Sequence, residues 1–145
     1  MLVYLSLGSN LGNREATLDQ AVELIQKKVG TLLKRSTFFY SKPWRFVSNN
    51  DFCNICISIE TELSPLDVLH VTQAIERSLG RLKRYRRDTD EIPCYSDRTI
   101  DIDLLEYFDE NGKKVIINTP ELTLPHPLMQ KRDFVMIPLQ EIVIR

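Results

Sequence analysis

The apolar positions open with a period of two. Val3, Leu5 and Leu7 alternate with Tyr4, Ser6 and Gly8, which predicts a strand with one aliphatic face. Gly8-Ser9-Asn10-Leu11-Gly12-Asn13 reads as a turn. The period then lengthens: Leu18, Ala21, Val22, Ile25 and Val29 recur at helical spacing, with Gly30 placed as a C-terminal stop. Residues 31–40, rich in Leu, Thr and Phe, predict a second strand, and residues 41–51 a loop with the only tryptophan, Trp44. In 52–60 the period of two returns. Cys53, Ile55, Ile57 and Ile59 share one face, and Phe52, Asn54, Cys56 and Ser58 the other. Ser64-Pro65 reads as an N-cap followed by proline at the first helical position, with Asp67 in the first turn. Leu66, Leu69, Ile75 and Leu79 give that helix its apolar side, and Gly80 ends it. Residues 99–108 alternate again. Asp109-Glu110-Asn111-Gly112 is a hairpin signal leading to Val115-Ile116-Ile117, and the apolar tail at 132–144 is expected to pack on the body.

The predicted order is strand, helix, strand, strand, helix, strand. That is an α+β, ferredoxin-like βαββαβ core: an antiparallel sheet with helices on one face and the active site on the other. The faces that carry no aliphatic residues hold Ser6, Asn54, Asp101 and Asp103. At 145 residues the chain is expected to be one domain, residues 1–145, able to bury a core without disulfides. A net charge of -1 gives no bulk attraction to nucleic acid or to a membrane. No apolar run is long enough to span a bilayer, and the start lacks the basic segment of a signal peptide, so a cytoplasmic location is expected. Cys53 and Cys56 have C-x-x-C spacing, but on a strand they face opposite sides, which argues against a metal or redox pair.

The sharpest chemical signal is Asp97-Arg98-Thr99-Ile100-Asp101-Ile102-Asp103-Leu104-Leu105. Asp101 and Asp103 point the same way, about 6.6 Å apart along a strand. They could hold metal ions bridging phosphate oxygens, although a bare D-x-D also fits a solvated acidic face. A basic run, Arg81-Leu82-Lys83-Arg84-Tyr85-Arg86-Arg87, could meet RNA, but Asp88, Asp90 and Glu91 follow it at once. Cations on a loop suit a polyphosphate better. The seventeen residues 81–97 are long for a structureless loop, which predicts a lid over bound nucleotide. Thr123-Leu124-Pro125-His126-Pro127 sets one histidine between prolines, with Arg132 and Phe134 soon after. From these residues alone, an RNA-binding module and another metal-dependent phosphotransferase both remain open.

Taken together, several segments resemble the 6-hydroxymethyl-7,8-dihydropterin pyrophosphokinase family of folate biosynthesis. They are Leu7-Gly8-Ser9-Asn10-Leu11-Gly12, Phe39-Tyr40, Phe52-x-Asn54, Gln73-x-x-Glu76, Gly80-Arg81, the segment from Asp97 to Leu104, Leu124-Pro125-His126-Pro127 and Arg132-x-Phe134. The resemblance implies transfer of diphosphate from ATP to the hydroxymethyl group of the pterin, releasing AMP. It implies ATP as co-substrate and two Mg²⁺ ions held by Asp101 and Asp103. Arg81 and Arg98 would bind the triphosphate and act with the aspartates in catalysis. Lys83, Arg84 and Tyr95 fall in the matching mobile loop, and Gln73, Glu76, Leu104, Thr123, His126 and Arg132 match positions around the nucleotide. Phe52 and Phe134 match the aromatic pair that sandwiches the pterin. Asn54 matches the residue that bonds its edge, with Lys42, Pro43 and Trp44 on the adjoining loop. The implied partners are these small molecules and neighbouring folate enzymes, without nucleic acid or membrane.

Overall fold

A computed structural model of the chain describes residues 1–43, 50–80 and 99–143. In chain order the elements are β1 (Leu2–Ser9), α1 (Arg14–Lys28), β2 (Gly30–Arg35), β3 (Phe39–Ser41), β4 (Phe52–Thr61), α2 (Pro65–Ser78), β5 (Asp101–Phe108), β6 (Ile117–Asn118), β7 (Thr123–Leu124) and α3 (Asp133–Ile142), with a 3₁₀ turn at Met129–Lys131 before α3. The sheet order is β2-β4-β1-β5, and β3 pairs with β4 as well. All these pairs are antiparallel, the ferredoxin-like arrangement the strand and helix order predicts.

The alternation decides the layering. Val3, Leu5, Leu7, Cys53, Ile55, Ile57, Ile59, Ile102 and Leu104 enter one core cluster with Leu18, Ala21, Val22 and Ile25 of α1 and Val68 and Ile75 of α2. Each large aliphatic side chain buried there contributes roughly 1.5–3 kcal/mol of transfer free energy. The helix ends follow local chemistry. Asn13 accepts from the Ala16 amide at the start of α1, and Ser64 accepts from the Asp67 amide at the start of α2.

Four expectations are refined. The strand predicted at 31–40 is two strands, β2 and β3, which pair in succession along β4 and are interrupted at Ser36–Phe38, where Ser36 Oγ accepts from the Cys56 amide. Gly30 opens β2 and is not the helix cap: a Cβ there would collide with the Glu60 carbonyl on β4, so close strand approach requires the glycine. The turn at Asp109–Gly112 forms, with Asp109 Oδ1 accepting from Asn111 and Lys113 amides. Its return arm meets β5 at a Phe108–Lys114 bridge, with the Val115 amide donating to the Tyr107 carbonyl, after which β6 pairs with β7. Finally, the tail carries a helix, α3, over residues 133–142 despite Pro138. α3 packs on the sheet face opposite α1 and α2, where Val135, Leu139 and Ile142 bury against Tyr4, Cys56 and Leu105. That face is shared between a small apolar core and the polar residues described next.

Candidate active site

β5 carries the acidic pair to the end of the sheet not filled by this second core. Asp101 stands opposite Gly8 and Asp103 opposite Ser6 on β1. Facing residues of an antiparallel pair share a face, so both carboxylates project away from α1 and α2. A β-bulge between the Tyr4 and Leu5 pairings admits an extra residue on β5 at Leu105. Because of it, Leu105 joins the second core while Leu104 remains in the first. Leu104, which the resemblance places around the nucleotide, is 3% exposed with its side chain on the helix side. A ligand at the acidic end could meet only its main chain.

Two groups fix this strand. Glu76 on α2 is buried, and its Oε2 accepts from the Ile102 amide at 2.7 Å, between the two aspartates in sequence. A carboxylate thus ties the outer edge of β5 to a core helix. On the inner side of the pair, Arg132 is 8% exposed and its Nη1 lies 3.7 Å from Asp103 Oδ2. The same guanidinium sits 5.6 Å from the centre of the Phe134 ring. Arg132 therefore joins the acidic pair to an aromatic group at the start of α3.

His126 follows β7, after a cis Leu124–Pro125 bond, and its amide donates to the Leu105 carbonyl. Its Nδ1 accepts from the Leu128 amide at 3.1 Å, which assigns the ring proton to Nε2. Burial, then the nearby Arg132 charge, push its pKa down to about 4 against an opposing pull from Asp101. The imidazole is neutral near pH 7 and offers an N–H donor. Thr123 is half-buried on β7, while Gln73 is exposed on α2.

A second group gathers across β1 on β4. Asn54 is buried, and its Nδ2 donates both to the Phe39 carbonyl (3.0 Å) and to Ser41 Oγ (2.8 Å). Those bonds fix the carboxamide with Oδ1 toward Gly8. A Cβ on Gly8 would lie 2.9 Å from that oxygen and 3.5 Å from Phe52 Cδ1. Gly8 thereby keeps a floor flat beside an amide edge and a ring, as suits the approach of a planar ligand. The orienting roles of Gly8 and Ser41 escaped the sequence reading. A glycine on the polar side of an otherwise regular strand was the available signal for Gly8; Ser41 had none, because its pairing with Asn54 depends on how β3 meets β4. Phe52 and Phe134 are half-buried, on β4 and on the helix that covers β4. Lys42 is exposed and Pro43 half-buried at the end of β3. Trp44, Arg81, Lys83, Arg84, Tyr95 and Arg98, and with them the lid expected at 81–97, lie outside the described residues.

Among the described residues no three His, Cys, Asp or Glu side chains form a metal cage. Two strand carboxylates suit a hard cation that completes its shell with substrate oxygens and water, as Mg²⁺ does. No helix of the described residues is long and apolar enough to cross a membrane.

An acidic pair, a buried guanidinium and a neutral imidazole donor, beside an amide edge and two aromatic rings, define a class. It is a ferredoxin-like domain with groups on one sheet face whose chemistry suits a polyphosphate beside a flat heterocycle. More particularly, the chain belongs to the 7,8-dihydro-6-hydroxymethylpterin-pyrophosphokinase (HPPK) family, whose model matches residues 4–144. It is 45% identical over 141 residues to a 2-amino-4-hydroxy-6-hydroxymethyldihydropteridine pyrophosphokinase of Porphyromonas gingivalis, covering 97% of this chain and 90% of that one. A Bacillus subtilis protein of the same name is 37% identical, with coverages of 97% and 77%. The fold matches a crystal structure of an HPPK-DHPS in complex with substrates at a TM-score of 0.68 and 15% identity. That match covers 97% of this chain and 40% of the longer one.

Proposed function

We propose that this chain transfers the β,γ-diphosphate of ATP to the hydroxymethyl oxygen of 6-hydroxymethyl-7,8-dihydropterin, releasing AMP, in tetrahydrofolate biosynthesis. The observation that carries the reading is the acidic pair on β5 sharing one sheet face with Phe52 and Asn54, in a chain of the HPPK family. The hydroxymethyl oxygen forms a bond to the β-phosphorus, the bridge between the α- and β-phosphates breaks, and the hydroxyl proton leaves to water. Such a transfer needs alignment and charge neutralisation more than covalent participation by the protein.

Asp101 and Asp103 would hold two Mg²⁺ ions, which when bound supply positive charge at the phosphate oxygens. Arg132, kept from solvent beside Asp103, orients that carboxylate and adds a fixed cation. Arg81 and Arg98, with Lys83, Arg84 and Tyr95, serve the triphosphate, and His126 offers Nε2–H to a nucleotide oxygen. Gln73, Glu76, Thr123 and the Leu104 main chain complete the nucleotide side. Phe52 and Phe134 stack on the heterocycle. The Asn54 carbonyl oxygen accepts from its edge, flanked by Lys42, Pro43 and Trp44. Residues 1–145 act as one pyrophosphokinase domain, working in the cytoplasm beside other folate enzymes. The joining of HPPK to DHPS in a solved relative supports that neighbourhood.

The deciding experiment incubates the protein with ATP, Mg²⁺ and the reduced pterin. AMP and pterin diphosphate in equal amounts are expected. ADP would indicate another phosphotransferase, and unchanged nucleotide would overturn the reading.

A further inference from the structure

Phe52 is the first residue of β4, and a strand end holds its side chain only as well as its own backbone is held. It pairs with Ser41, and the two residues leading into it are tied to the first residue of α1 and to the loop before that helix. Arg14 Nη1 donates to the Asp51 carbonyl at 2.8 Å, and Asn10 Nδ2 donates to the Asn50 carbonyl at 3.2 Å. Arg14 is itself restrained. Its guanidinium lies 5.3 Å from the centre of the Tyr40 ring. Tyr40 donates its hydroxyl to Glu15 Oε2 at 2.7 Å, and the same carboxylate oxygen is 3.9 Å from Arg14 Nη2. The shifts agree with a firm bond: the Tyr40 hydroxyl holds the Glu15 carboxyl below its ordinary value, and Glu15 pushes Tyr40 up to about 12. Behind the cluster, α1 is anchored by Leu18, Ala21, Val22 and Ile25 in the core. Arg14 also lines a polar cavity of about 320 Å³ with Asn10, Leu11, Gly12, Asn50 and Asp51.

We propose that Arg14 is a positioning residue for the pterin site: it transmits the rigidity of α1 through the Asp51 carbonyl to Phe52 and Asn54. The inference rests on the assignment of those two residues to the heterocycle. A planar guanidinium suits the task because it can donate to a carbonyl with one arm while its face stacks on a ring. Lysine would keep the charge and can still donate to the carbonyl, but loses the planar fork and the stacking. Substrate ordering at the heterocycle, and not at the nucleotide, is what the latch controls.

The test compares Arg14→Ala, Arg14→Lys and Phe52→Ala. Calorimetry gives the pterin Kd in the presence of Mg²⁺ and a non-hydrolysable ATP analogue; steady-state kinetics gives KM for ATP, and melting gives Tm. Arg14→Ala is expected to weaken pterin binding about tenfold, in line with losing a charged hydrogen bond. KM for ATP should stay within about twofold, and Arg14→Lys should recover part of the loss. If Arg14→Ala does not fold, an intermediate pterin defect in Arg14→Lys with normal ATP kinetics supports the latch, and wild-type pterin affinity overturns it. Pterin and ATP defects that rise together and follow Tm would show a purely structural role. If pterin binding falls in Phe52→Ala but not in the Arg14 variants, the latch alone fails. Pterin binding that survives Phe52→Ala overturns the site assignment and the latch with it.

Discussion

The two faces of the one sheet differ in what alternation delivers to each. On β5, Ile102 and Leu104 are 5% and 3% exposed among the side chains of α1 and α2. Their neighbours Asp101 and Asp103 are half-buried on the other side. The helix face is apolar from β4 to β5 and its free energy comes from excluded water. The opposite face is divided, with α3 filling one part and carboxylates, Asn54 and Gly8 occupying the rest. The core and the proposed chemistry thus sit one residue apart on the same strand, separated by the sheet.

The largest expected effects come from crossing that boundary. Asp101→Ala should lower kcat by on the order of a hundredfold or more, about 3 kcal/mol of transition-state stabilisation, with little change in Tm. Leu104→Ala should do the reverse, costing about 3 kcal/mol of stability while the folded fraction keeps its kcat. Kinetics at saturating Mg²⁺ alongside thermal melts measures both, and near-wild-type turnover in Asp101→Ala would remove the acidic pair from the mechanism. Asp103 is less clean as a probe, because its loss takes an acid from beside the buried Arg132.

A smaller effect separates the two parts of the site face. Phe134 touches the second core and also lies under Arg132, whereas Val135 belongs to that core alone. Phe134→Ala should weaken pterin binding by roughly 1–3 kcal/mol and ATP binding far less. Val135→Ala should lower Tm without altering pterin affinity. Calorimetry on both variants checks this, and a pterin affinity untouched in folded Phe134→Ala would assign the ring to packing only.

The smallest effect is in pH. The folded His126 resists protonation down to about 4, while in the unfolded chain it takes up a proton near its ordinary 6.5. Between these values the unfolded state binds more protons, so stability rises with pH through the window and is level above it. Partial exposure screens the effect to on the order of 1 kcal/mol. In metal-free buffer, the fall in Tm from pH 7.5 to pH 5 should be smaller in His126→Gln than in wild type. Equal falls would take His126 out of the pH response.

The candidate site was legible where it rides on a strand. Asp101, Asp103, Asn54 and Phe52 were placed on one face by a period of two, and the structure keeps both aspartates on one face, in a register opposite Gly8 and Ser6 that the period does not set. At Leu104 the resemblance names a position and the alternation restricts what it can offer: the strand period that turns Asp103 to one face buries the Leu104 side chain on the other and leaves its main chain. Glu76 is buried, and its partner could not be assigned from α2 alone, since the Ile102 amide it accepts from is 26 residues away.

The sequence by itself determined the order of the βαββαβ core, the faces of β1, β4 and β5 and the N-cap of α2. Each follows from interactions within a few residues or from a period that one buried face enforces. The tertiary structure alone decided that residues 133–142 become a helix on the face opposite α1 and α2 and that Arg132 comes against Asp103 and Phe134. It likewise decided that β2 and β3 divide the edge of β4 and that Ser41 turns the Asn54 amide. These depend on which surfaces remain uncovered after the sheet has formed. No local propensity encodes that, because the partners are distant in sequence and meet only when burial has drawn the layers together.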